Sequence, residues 1–375
     1  MTEASERSYA TYHLGRLMHL RIEDGLLPDF QGKLGFCQAE GAEPQLTIRR
    51  GNPRPALDFN PISNFTFVSD GFQAVVVSWR SKIGEELLVS DGAYEIVGEG
   101  GVYEISPGNV TIHGRPSDGF MDLIIRPLAN QVLVPQGAVM AHAGAVRIDG
   151  KVVLLLGESG KTSLVLSLLA KGADYLADEC AFLDAGGMCR PYTPIISLND
   201  RHFEQHPELV EACYPDATER RRVRTSMSFY RMGASLSGRN MASRQARAML
   251  TTRSRFNGLS CRFDAPFPKA KMVDSGRITH VFHLRSTNEE GPLVPMDHRR
   301  IADIESTSAW VRTGHLFAMA KLAGMPTIDL PMMQEAFANA IKGADCYQAR
   351  MRLREGRTRE DTERAAEEIV RLVAK

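Results

Sequence analysis

The stretch HAGAVRIDGKVVLLLGESGKTSLVLSLLAKGADYLADECAFLD, from His142 to Asp184, decides the fold. Val152 to Leu156 is an unbroken apolar run, the pattern of a strand buried on both faces of a parallel sheet. A glycine-bearing turn follows, Gly157-Glu158-Ser159-Gly160, and then Lys161-Thr162-Ser163. Leu164 to Ala170 is an apolar run long enough for a helix, stopped at Gly172. A second strand, Tyr175-Leu176-Ala177, delivers Asp178 and Glu179 to its C-terminal end. This order is what a phosphate-binding unit needs. Backbone N–H groups at the helix start face phosphate, a lysine neutralises it, and a hydroxyl and a carboxylate hold Mg²⁺. Against the pattern G-x-x-x-x-G-K-[ST], the run from Gly157 to Lys161 is two residues short, so the loop offers fewer N–H groups on a tighter curve. The alternative is an ordinary strand–helix turn carrying a solvated lysine.

These residues resemble the HPr kinase/phosphorylase family, whose P-loop domain is related to that of phosphoenolpyruvate carboxykinase. Three pieces match in order: His142-Ala143-Gly144 before the strand, the Gly-x-Ser-Gly and Lys-Thr elements, and Leu176-Ala177-Asp178-Glu179. The resemblance implies an α/β fold: a C-terminal P-loop domain with a mixed sheet and flanking helices, residues 128–375, behind a smaller β-rich N-terminal domain, residues 1–127. It also implies an ATP-dependent kinase using ATP and Mg²⁺, with a hydroxyl acceptor, most plausibly serine of a protein or peptide, or else a small-molecule hydroxyl. In that family the histidine and first aspartate sit at the reacting hydroxyl. The resemblance thus implies that His142 orients the acceptor, Asp178 accepts its proton, and Lys161 pairs with the β/γ-phosphates. The amides of Gly157, Glu158, Ser159 and Gly160, with Lys161, Thr162 and Ser163, form the nucleotide cradle. Thr162 and Glu179 serve the metal. The family's habit of assembly implies a homo-oligomer.

Composition bounds the rest. A chain of 375 residues suits two domains, and 43% hydrophobic with 24% charged residues is ordinary for a globular protein. The formal net charge is zero, so no global field recruits nucleic acid or an anionic membrane. None of the six cysteines falls in a C-x-x-C pair, which argues against a zinc ribbon or disulfide framework and fits reduced cytoplasmic thiols. No stretch approaches the ~20 apolar residues of a membrane span.

Residues 8–125 read as short strands between Gly/Asp/Asn/Pro turn signals, a small antiparallel or barrel-like unit. Its strands include Glu86 to Val89, with Asp122 to Ile125 among the last. Asp149-Gly150 is a hairpin signal leading into the phosphate-loop strand. His202 and His206 are spaced for one helix face. Phe203 stands where a zinc protease has glutamate, and Pro207 interrupts the helix, so a metal site is rejected. Between Glu219 and Arg262 there are eleven arginines and one acid, suited to phosphate or an acidic substrate, or simply a solvated arm. Ser237-Gly238-Arg239-Asn240 carries a faint likeness to a Gly-Arg-Asn motif of the family. Two rivals to the kinase stay open: a nucleotide-binding or scaffold protein without turnover, and a peptide-interaction module using the arginine-rich 220–262 segment.

Overall fold

The computed structural model describes residues 8–26, 38–39, 41–52, 59–69, 72–81, 89–90, 93–98, 101–114, 124–157, 160–198, 200–235, 259–322, 324–352 and 357–375. They form a mixed α/β structure with flanking helices. Two compact units share the chain, each assembled from three segments. The first is Met1–His142, Phe182–Thr193 and Met296–Ala344; the second is Ala143–Ala181, Pro194–Pro295 and Asp345–Lys375.

In the second unit the strands lie in the order Asp174–Ala177, Gly144–Ile148, Lys151–Gly157, Gly276–Thr287, Asp345–Arg352 and Gly291–Pro295. Gly144–Ile148 and Lys151–Gly157 make an antiparallel hairpin across Asp149 and Gly150, both with positive φ, 47° and 82°. Two positive φ values are what a two-residue hairpin turn of matching twist requires. Lys151–Gly157 also pairs in parallel with Gly276–Thr287, and this strand in turn with Asp345–Arg352. Val152 to Leu156 are buried, as their apolar run demands. Asp174–Ala177 runs antiparallel to Gly144–Ile148 and hence in the same direction as Lys151–Gly157. The glycine turn and Asp178 therefore leave the sheet at the same end, with the hairpin strand between them.

Helix Lys161–Ala170 is buried along almost its whole length, which explains why its sequence is apolar on nearly every side. It packs against helix Arg359–Val373, whose apolar stripe Ala366, Ile369 and Val373 joins Leu164, Val165, Leu168 and Phe282 in one core.

The first unit holds an eight-stranded sheet in the order Gln38–Ala39, Tyr9–Leu14, Met18–Glu23, Leu46–Arg50, Asn109–Gly114, Gly101–Ser106, Ala93–Gly98 and Val89–Ser90. It is not purely antiparallel as its turn signals suggest. Leu46–Arg50 is parallel to both neighbours, Met18–Glu23 and Asn109–Gly114, because the long connections on either side let the chain cross over before pairing. Of the expected strand Asp122 to Ile125, residues 122–123 lie outside the described residues, and the rest is corrected. Ile124 and Ile125 lead helically into helix Arg126–Leu133, where Pro127 at the first turn presets the helical φ. Of the expected strand Glu86 to Val89, residues 82–88 lie outside the described residues. Helices His298–Leu322 and Leu330–Ile341 complete the unit, the latter capped by Asp329 accepting from Met332 N at 2.8 Å. Among the described residues no helix is long and apolar enough to cross a membrane.

The cysteines give a further correction. Cys213 and Cys261 are joined as a disulfide with a Cα–Cα distance of 5.4 Å. Cys180, Cys189 and Cys346 are buried and outside any disulfide. The pairing was hidden because the partners lie 48 residues apart, and only the folded second unit sets a helix end beside a strand.

Replacing Ile369, 1% exposed between the two packed helices, by alanine should cost about 2–5 kcal/mol, read as a lower midpoint in urea denaturation at unchanged slope.

Candidate functional site

Two glycines shape the turn. Gly157 closes the central strand at φ 101°, and a Cβ there would collide with the Leu284 carbonyl oxygen of the adjoining strand. Gly160, also at φ 101°, is the N-cap of helix Lys161–Ala170, and a Cβ on it would strike Nη1 of Arg357. Both positions need glycine, for backbone conformation and for space. Glu158 and Ser159 lie outside the described residues. Leu164 N donates to Gly160 O at 3.0 Å, and no side chain caps this helix. The amides of Lys161, Thr162 and Ser163 thus have no acceptor within the helix, and the positive end of its dipole lies at the turn.

Lys161 is 5% exposed and its Nζ donates to Gly157 O, so the lysine folds back over the turn it follows. Ser163 is buried and Thr162 half-buried. Asp178 is 2% exposed. Its Oδ2 accepts the backbone N–H of Ser197 at 2.9 Å, while Oδ1 is buried with no hydrogen-bond partner among the described residues. Burial, and then the charge of neighbouring Glu179, push the Asp178 carboxyl up to about 7. The Ser197 amide, the Thr162 hydroxyl and the Lys161 charge pull the other way. Thr162 lies close enough to favour the ionised form without completing a hydrogen bond to Oδ1. Lys161, Thr162, Asp178 and Glu179 are therefore gathered around one carboxylate, beside the turn.

His142 stands apart in this accounting. It is the last residue of the first segment of the first unit, half-buried, and within that unit it lines a small cleft with Arg126, Met140, Glu305, Ser306 and Phe337. Of the arginine-rich segment, Arg220, Arg221, Arg222, Arg224 and Arg231 fall on helix Ala217–Ser235. Residues 236–258, including Ser237-Gly238-Arg239-Asn240, lie outside the described residues.

The sequence reading missed Arg357. This side chain is 6% exposed, its guanidinium lies against Gly160, and its Nε and Nη2 donate to Arg352 O at 3.0 and 2.8 Å. Gln205 Nε2 holds its carbonyl at 3.0 Å. Placement is local in origin. Thr358 caps helix Arg359–Val373 in a capping box with Asp361, which fixes the residue just before the helix. The signal was present as Gly356-Arg357-Thr358, a Gly-Arg pair before a Thr-x-x-Asp cap.

Among the described residues no group of three or more His, Cys, Asp or Glu gathers as a metal cage. Mg²⁺ characteristically takes one or two protein oxygens and completes its shell with phosphates and water.

The fold and site together define an α/β protein with a strand–glycine turn–helix unit and a buried acid at the same sheet end. No family model matches this sequence, and no curated protein does. Among solved structures, the chain is similar to the HPr(Ser) kinase/phosphatase from Coxiella burnetii, with 12% identity, a TM-score of 0.26, and coverage of 63% of this chain and 88% of that one. Function has to be read from the site's own atoms.

The raised Asp178 pKa sets a pH dependence of stability. The folded state binds the proton more tightly than the unfolded chain, so this residue's contribution to stability falls as pH rises from ~4 to ~7, by a few kcal/mol in order of magnitude. Asp178→Asn removes the slope. The variant should melt above wild type at about pH 8 and the gap should close toward about pH 4, as followed by thermal denaturation across that range.

Proposed function

We propose that this chain is an ATP-dependent kinase that transfers the γ-phosphoryl group to a hydroxyl, with serine of a protein or peptide as acceptor. The observation that carries the reading is Asp178: a buried carboxylate with an unpartnered Oδ1, beside Lys161 and Thr162 and next to a glycine turn. A buried acceptor atom left unpaired costs about 1–3 kcal/mol, and an acceptor hydroxyl or a bound cation would offset it.

The cradle fits phosphate. Helix amides with no acceptor inside the helix, two glycines with little room for a side chain, a buried lysine and a buried guanidinium lie at one turn. Lys161 would exchange the Gly157 carbonyl for β/γ-phosphate oxygens, and Arg357 would add donors where the short turn supplies few amides. Thr162 and Glu179 offer the hard oxygen ligands that Mg²⁺ prefers, and the ion would neutralise charge developing on the phosphates. Asp178 would take the proton of the acceptor hydroxyl as the new P–O bond forms and the bond to the departing ADP oxygen breaks. A carboxyl near 7 is well placed for that exchange. His142 would orient the acceptor, as the resemblance of His142 to Asp184 suggests.

A second reading has its own motive. The turn is two residues short and Lys161 is engaged with Gly157 O, features suited to a protein that binds nucleotide without turning it over.

Calorimetry with ATP, with and without Mg²⁺, followed by assay of ADP release and acceptor phosphorylation, tests both. Lys161→Ala should weaken nucleotide binding by about tenfold or more, roughly 1.4 kcal/mol. Asp178→Asn should keep binding yet lose transfer by about 10²- to 10⁴-fold. Full transfer by Asp178→Asn removes the base, wild-type binding without ADP release selects the second reading, and no binding ends both. Arg357→Lys should also weaken binding, because an ammonium cannot replace the planar fork.

A further inference from the structure

Asp178 and Arg357 are held by different elements of the second unit, and one covalent link connects those elements. On the acid side, Ser197 N supports the Asp178 carboxylate. Ser197 belongs to strand Ile195–Leu198, which among the described residues pairs with Leu259–Arg262 in a two-stranded ribbon, Ile196 opposite Cys261 and Ser197 opposite Ser260. Two-stranded ribbons are marginal by themselves, so this one depends on what fastens it. One fastening is Phe263 stacked on Tyr175 at 4.4 Å, with the Tyr175 hydroxyl donating to Ile195 O at 3.1 Å. Ile196 and Leu198 also pack into the core. A further fastening, and the covalent one, is Cys261 itself.

On the arginine side, Gln205 holds the Arg357 carbonyl, and Arg359 Nη1 pairs with Glu208 at 3.1 Å. Glu208 opens the short helix Glu208–Cys213, and Cys213 ends it. The Cys213–Cys261 bond therefore ties the ribbon beneath Asp178 to the helix that braces the Arg357–Arg359 corner. Cys213 is half-buried, whereas Cys180, Cys189 and Cys346 are buried, so among the described cysteines an external thiol meets this pair first.

We propose that Cys213 and Cys261 are a reversible redox clasp joining the two supports of the candidate site. A dithiol reductant opens it. Its thiolate attacks Cys213 Sγ, Cys261 leaves as a thiolate and takes up a proton, and the second thiol of the reductant releases Cys213. Two electrons and two protons enter the pair, and the reductant ends as a disulfide. Opening loosens the ribbon, and with it the Ser197 N–H that holds Asp178. The effect on turnover rests on the kinase reading; the clasp itself does not.

The test poises the full chain in oxidised or reduced dithiothreitol, counts free thiols by maleimide mass labelling, and follows hydrogen exchange in peptides spanning 195–198 and 357–359. Oxidised protein should shield Cys213 and Cys261 from label, and reduction should expose both. Reduction should also speed exchange at Ser197 and lower the melting midpoint by several degrees. Cys213→Ser should show the reduced pattern under either condition, while Cys346→Ser should keep the wild-type redox difference. Labelling of both thiols after oxidation overturns the proposal, as does exchange at Ser197 that is the same in both redox states. A redox-dependent exchange in a protein that never releases ADP supports the clasp and removes the kinase instead.

Discussion

A single carboxylate placed out of water constrains this site. Asp178 accepts the Ser197 amide through Oδ2, and its Oδ1 is buried with no hydrogen-bond partner among the described residues. Such a group is tolerated only where neighbours soften its charge, and here Lys161 and Thr162 do so from the start of one helix. The arrangement stores discomfort in the empty protein that a ligand could relieve. Side chains kept in that condition are commonly found where chemistry occurs.

Backbone geometry brings those neighbours together. Gly157 must approach the Leu284 carbonyl, and Gly160 must leave room for a guanidinium, so the turn is defined by two side chains it lacks. On the opposite side, a capping box at Thr358 and Asp361 fixes where Arg357 begins. Helix starts thus fix Lys161 and Arg357 each on its own segment, and the fold then sets the Arg357 guanidinium against Gly160, from segments nearly two hundred residues apart.

Much of this was legible from the residues alone. The run Val152 to Leu156, the breaks at Gly157 and Gly172, and the acids after Ala177 declare strand, turn, helix and strand, because burial and helix termination are local in sequence. Asp149-Gly150 announced its hairpin for the same reason. What escaped depends on partners far along the chain. The parallel placement of Leu46–Arg50, the Cys213–Cys261 bond and the packing of Arg357 on Gly160 are each decided by contacts that no nearby residue encodes. The helix at Arg126 was misread for another reason: Ile124 and Ile125 look like a strand end, and only Pro127 hinted otherwise.

The interleaving of the two units also bears on synthesis. The first needs residues through Ala344, and the second needs residues through Lys375. A chain emerging from the ribosome therefore cannot finish the amino-terminal sheet's own unit and then start afresh, as vectorially folding domains do. Neither can close before its third segment is made, Met296–Ala344 for the first and Asp345–Lys375 for the second. That interval leaves apolar strands such as Val152 to Leu156 without their eventual neighbour Gly276–Thr287, and a holding chaperone would have most to protect during it.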